Sequence, residues 1–178
     1  ELVLFVGHPT YAITMVILTL LLFSGLGSML VQRIPQDRLD SMLRVILTVI
    51  VVLGAFQAYV VPGVLHQYAL GLPLGMRAAL VGLVLMPLGF VMGMPFPAAM
   101  RLIRPEAAGM IPWAWALNGW MSVVASLGTV ILSRIYGYSW AFGVALAAYV
   151  AATLLSPVLS TIGSGSTDKR GSPAPTAK

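Results

Sequence analysis

AALVGLVLMPLGFVMGMPFPAAMRLIR, residues 78–104, decides the class of this chain. Between Arg77 and Arg101 it carries no charge, and a helix needs roughly 20 apolar residues to cross the hydrocarbon core of a bilayer. The run from Ala78 to Met100 meets that length. It does not end as a plain anchor would, in more Leu, Val and Ile. Two glycines (Gly89 and Gly93) and two prolines around an aromatic (Pro95, Phe96, Pro97) interrupt it before it closes on Arg101 and Arg104.

The rest of the chain has the same character. Of 178 residues, 59% are hydrophobic and 8% charged, whereas a soluble domain carries about a quarter charged residues. Too few charges remain to cover a water-facing globule. The predicted class is all-α: a polytopic integral membrane helix bundle of about five transmembrane helices. The spans fall at about 12–31, 43–61, 78–100, 111–133 and 138–161.

The chain opens on Glu1 with no Lys- or Arg-rich region before its first apolar stretch, so it does not read as a signal peptide. ELVLFVGHP looks like the cut end of something longer, with Leu2–Val6 the tail of a further helix. The expectation is therefore a fragment of a larger protein. At the other end GSGSTDKRGSPAPTAK has no apolar periodicity, and residues 163–178 are expected to form a disordered cytoplasmic tail.

Charge placement suggests an orientation. With five crossings, the connections at 32–44 and 101–110 share one side with the C-terminus. That side holds Arg33, Arg38, Arg44, Arg101, Arg104, Lys169, Arg170 and Lys178, and the opposite side only Arg77 and Arg134. The positive-inside rule puts the richer side in the cytoplasm. The same scatter at segment ends argues against a nucleic-acid partner despite the net charge of +5. Trp113 and Trp115 mark one interface, and Tyr136, Tyr138 and Trp140 the other, as amphipathic rings favour the headgroup level. The lipid bilayer is the first partner implied.

Helix association in lipid depends on close backbone approach and a few polar contacts. Small residues recur at helical spacing: Ser24, Gly25, Gly27 and Ser28 in the first span, Gly89 and Gly93 in the third, Gly143, Ala147 and Ala151 in the fifth. Asn118, Ser122 and Ser126 line one face of the fourth. An amide in hydrocarbon needs a partner. Pro87 and Pro95 each deprive a carbonyl of its usual helical donor. The expectation is a hydrogen bond from Asn118 to that broken region, with Gln57 in the second span posing the same question.

Candidates for chemistry are few. The acids Glu1, Asp37, Asp40, Glu106 and Asp168 all fall in connections or the tail, with Asp40 read as a helix N-cap. No span centre carries an ionisable residue, the usual mark of a proton or ion path. The chain has no cysteine. His8 and His66 read as interfacial rather than as metal ligands. FSGLGS contains a G-x-G, but inside a membrane helix it cannot cradle a phosphate. No catalytic residue, metal site or cofactor site is expected in this segment.

GHPTYAITMVILTLLLFSGLGS (7–28), MGMPFPAAMRL (92–102) and PWAWALNGWMSVVASLGTVIL (112–132) together resemble the membrane portion of large bacterial spermidine-synthase-like proteins. MGMPFP and WAWALNG are the most specific pieces. The resemblance extends over most of residues 1–155. It departs at Ala98–Ala99, where a Gly would be usual, which puts a tight backbone approach there in doubt. It implies a bacterial inner-membrane module that anchors or serves a Rossmann-like transferase domain, one that uses S-adenosyl substrates and an amine acceptor. That domain would lie in a missing upstream region, so its catalytic residues have no positions here. An alternative is half of a carrier for polyamines or another small solute, since helices broken by Gly and Pro occur at transporter sites. A scaffold without ligand is a third reading. The functional or packing candidates are Gly89, Gly93, Pro95, Pro97, Arg101, Trp115, Asn118, Ser122 and Ser126.

Overall fold

The computed structural model describes residues 9–59, 73–103 and 105–164, and these are helical with no strand among them. The α-helices are α1 (Pro9–Val31), α2 (Leu39–Tyr59), α3 (Leu74–Met92), α4 (Pro95–Leu102), α5 (Ile111–Ile135) and α6 (Tyr138–Ser164). Short 3₁₀ turns at Gln36–Arg38 and Pro105–Met110 lead into α2 and α5. Five stretches are long and apolar enough to cross a membrane, with α3 and α4 together making the third, Ala79–Leu102. Their number is the one expected for a bundle of about five transmembrane helices. His8, His66, Arg104 and the tail beyond Ser164 lie outside the described residues.

The third span is not the continuous helix that an uninterrupted run of 78–100 would give. Pro87 is accommodated inside α3, but the helix stops at Met92. Gly93 N–H still donates to the Gly89 carbonyl at 3.3 Å, and Met94 N–H turns to that of Val91 at 3.1 Å. Pro95 has no N–H to continue the ladder and instead opens α4, where a first-turn N–H has no helical partner to lose.

In space the helices follow the order α1, α3, α2, α6, α5. Helices α1 and α3 run parallel, with Leu20 beside Gly89 and Ser24 beside Gly93. Their backbones nearly touch. A Cβ on Gly93 would overlap the Ser24 carbonyl oxygen and reach within 2.6 Å of Ser24 Cα. One on Gly27 would overlap the Phe90 carbonyl oxygen. Only glycine allows this approach, and close approach is what holds helices together in lipid. Farther along the row, Gly54 of α2 admits the Leu146 side chain of α6.

The buried apolar cluster gathers at one end of the row. Val31, Leu39, Ile46, Ile50, Leu88, Met94 and Ala98 form it, drawn from the end of α1, the first half of α2, the end of α3, and α4. At the far edge, α5 has no buried residue. It turns back into α6 through Gly137, whose φ of 89° is the left-handed conformation that side-chain-bearing residues avoid.

Candidate functional site

The most elaborate polar arrangement stands where α4 meets the end of α1. A helix C-terminus leaves its last carbonyls without donors and carries partial negative charge. At the end of α1 the Val31 carbonyl accepts from the Ile34 N–H at 3.1 Å, and Arg101, in the last turn of α4, adds further donors and the complementary charge. Its Nη1 donates to the Val31 carbonyl and its Nη2 to that of Ile34 at 2.9 Å. The link is reciprocal: Nη2 also reaches Gln36 Oε1 at 3.4 Å, and Gln36 Nε2 donates to the Arg101 carbonyl at 2.5 Å. A fixed fork of N–H donors suits this bridging of several oxygens, which a lysine could not reproduce. Beneath it Ala98 is fully buried, and Leu102 and Ile34 pack against the apolar cluster. Connection 32–38 and the end of α4 therefore lie at the same end of the bundle.

The other end of α4 faces α5. Phe96 meets Trp115 edge to face, with ring centroids 4.8 Å apart and planes at 79°. Such pairs contribute about 0.5–1.5 kcal/mol beyond area burial. Pro95 and Pro97, in the first turn of α4, hold the backbone that presents Phe96. Gly89 and Gly93 form the crossing with α1 just before it. Six of the sequence candidates (Gly89, Gly93, Pro95, Pro97, Arg101, Trp115) thus belong to one continuous arrangement.

Asn118, Ser122 and Ser126 do not join it. They line one exposed face of α5, and the two serines bond within their own helix. Ser122 Oγ donates to the Asn118 carbonyl at 2.8 Å, and Ser126 Oγ to that of Ser122 at 2.8 Å. The Asn118 amide makes no hydrogen bond among the described residues, so the expected contact with the Pro87–Pro95 region is not formed. The reason is placement: α5 sits at the outer edge of the row, against α6. Gln57 fills the role instead. From α2, next to α3 in the row, its Nε2 donates to the Val84 carbonyl at 2.6 Å. Val84 directly follows Leu83, whose carbonyl loses its helical donor to Pro87.

Asp40 also differs from expectation. The 3₁₀ turn Gln36–Arg38 runs straight into α2, and the Leu39 N–H is already bonded to the Gln36 carbonyl. Asp40 therefore lies inside the first turn and pairs with Arg44 one turn on, at 3.0 Å. Gln36 went unmarked in the sequence, where a lone amide after a proline carries no signal of a partner on α4. Among the described residues no group of three or more His, Cys, Asp or Glu converges as a metal site. At the opposite end of the bundle, Ser139, Trp140, Gly143, Val144 and Ala147 line an open apolar groove of about 420 Å³.

Chemically, this arrangement can fix helix ends and bind through hydrogen bonds. Its described side chains include no acid, base or nucleophile poised for catalysis. Compared with family models, with curated proteins and with solved structures, the chain finds no match, so its reading rests on these residues alone.

Proposed function

We propose that this chain is the membrane module of a spermidine-synthase-like protein of the bacterial inner membrane. It holds an S-adenosylmethionine-dependent transferase domain of the aminopropyltransferase type at the end where Arg101 lies, with that end and the C-terminus in the cytoplasm. The observation that carries the reading is the Phe96–Trp115 contact. It joins MGMPFP to WAWALNG, the two stretches on which the resemblance rests most, so they act as parts of one structural unit. The tight packing around Arg101 suits an anchoring face, because a soluble domain is best held by a part that does not deform. The excess of arginines at that end supports a cytoplasmic placement.

The test is the protein in its native membrane. An antibody raised to residues 105–118 should detect a polypeptide much heavier than 18.9 kDa. That polypeptide, or a partner purified with it, should photo-crosslink to S-adenosylmethionine. A species of 18.9 kDa with no S-adenosyl-binding partner would contradict the reading.

The break between α3 and α4 favours a second reading, half of a carrier, since discontinuous helices line transporter sites. Proteoliposomes of the purified chain separate the two. An anchoring module takes up no labelled spermidine above empty vesicles, whereas saturable uptake supports the carrier.

A further inference from the structure

We infer that α4 is a strap that sets the position of α5 relative to α1, linking the two outer edges of the helix row. Among the described residues, the main packing path along the row runs from α5 to α1 through α6, α2 and α3 in turn. Helix α4 shortens that path. Its last turn is tied to the end of α1 and the following connection by Arg101 and Gln36, and its first turn touches α5 through Phe96 and Trp115. At 1.5 Å per residue an eight-residue helix is about 12 Å long. That length carries a displacement at one end to the other without passing through the row.

Its construction suits the task. The break at Gly93–Met94 and the missing N–H of Pro95 uncouple α4 from the ladder of α3, so it can hold its own angle. The buried Ala98 and Met94 anchor its underside to the apolar cluster. By contrast α5 has no buried residue to fix it. The Asn118–Ser122–Ser126 face is then positioned by the strap together with the packing of α5 on α6. Anything that shifts α5 is felt at the connection 32–38, on the face where the proposed function places a soluble domain. The inference concerns the chain's own mechanics and stands whether or not that reading holds.

Distance measurements between spin labels test it directly, and the chain's lack of cysteine makes labelling clean. One pair, Leu22→Cys with Leu117→Cys, reports α1 against α5. A control pair, Leu22→Cys with Leu83→Cys, reports α1 against α3. These three leucines are exposed. Arg101→Ala and Phe96→Ala, which release opposite ends of the strap, should each broaden the α1–α5 distribution roughly twofold. The control distribution should stay narrow, and Arg101→Lys should fall between wild type and Arg101→Ala. Where Arg101→Ala does not fold, Gln36→Ala releases the same end more gently. Broadening from one end only, no broadening, or equal broadening of the control pair would overturn the inference.

Discussion

The two edges of this bundle are built on different principles. At the α1–α3 edge, glycines bring backbones together, an arginine ties helix ends, and the buried apolar side chains gather beside them. At the α5 edge every side chain stays at least partly open, although the helix is the more polar of the two. The difference shows that polar residues in a membrane helix do not by themselves make a contact. What matters is whether a neighbour comes near enough to use them, and here the order of the helices in space decides that.

The largest expected effect breaks the comparison at its tight side. Gly93→Ala or Gly27→Ala forces a Cβ into a carbonyl of the facing helix, where backbone cannot yield as a side chain can. Unfolding in mixed detergent micelles should show a loss of about 3 kcal/mol, at the upper end of overpacking costs. Gly119→Ala and Gly128→Ala on α5 meet nothing within 4 Å. They should be neutral or stabilise by about 0.5–1 kcal/mol, because alanine is the better helix former. Equal losses at both edges would erase the distinction.

Next in size is the arginine. Arg101→Ala removes charge-assisted bonds to two carbonyls and leaves the end of α1 without them. The same unfolding assay should register about 2 kcal/mol. Arg134, also in the last turn of a helix but exposed and without such partners among the described residues, should tolerate alanine within about 0.5 kcal/mol. The two amides sharpen the same point. Gln57→Leu should cost about 1 kcal/mol, in the range of interhelical bonds in lipid. Asn118→Leu should cost nothing measurable in the isolated chain. A reversed order would mean that α5 packs where α2 is placed here. Smallest is the half-buried Asp40–Arg44 pair: Asp40→Asn should lose about 0.3–0.5 kcal/mol, and less at high salt.

These contrasts show what could be read in advance. The spans were legible because crossing a bilayer demands length and apolarity, both properties of a single segment. Gly89 and Gly93 were legible as a packing face for the same local reason, though not that α1 was the partner. Pro95 announced a break, but its place at Gly93–Met94 depended on the hydrogen bonds that survive around it. Arg101 was expected to sit at the charged interface. Its true partners are backbone carbonyls some 70 positions earlier, and a carbonyl leaves no mark in a sequence. Asn118 and Gln57 look alike as amides among apolar residues. Only the order of helices in space separates the one that finds a partner from the one that does not.

The central claim is a five-span bundle whose Arg101 end gathers the connections after α1 and after α4, with the α5–α6 turn at the other end. Single cysteines at Gln32, Ala108 and Tyr136, all exposed, test it in sealed membrane vesicles with a thiol reagent that cannot cross the bilayer. Gln32→Cys and Ala108→Cys should be modified from the same side, and Tyr136→Cys only from the other. Modification of Gln32→Cys and Ala108→Cys from opposite sides, or of all three from one side, would contradict the account.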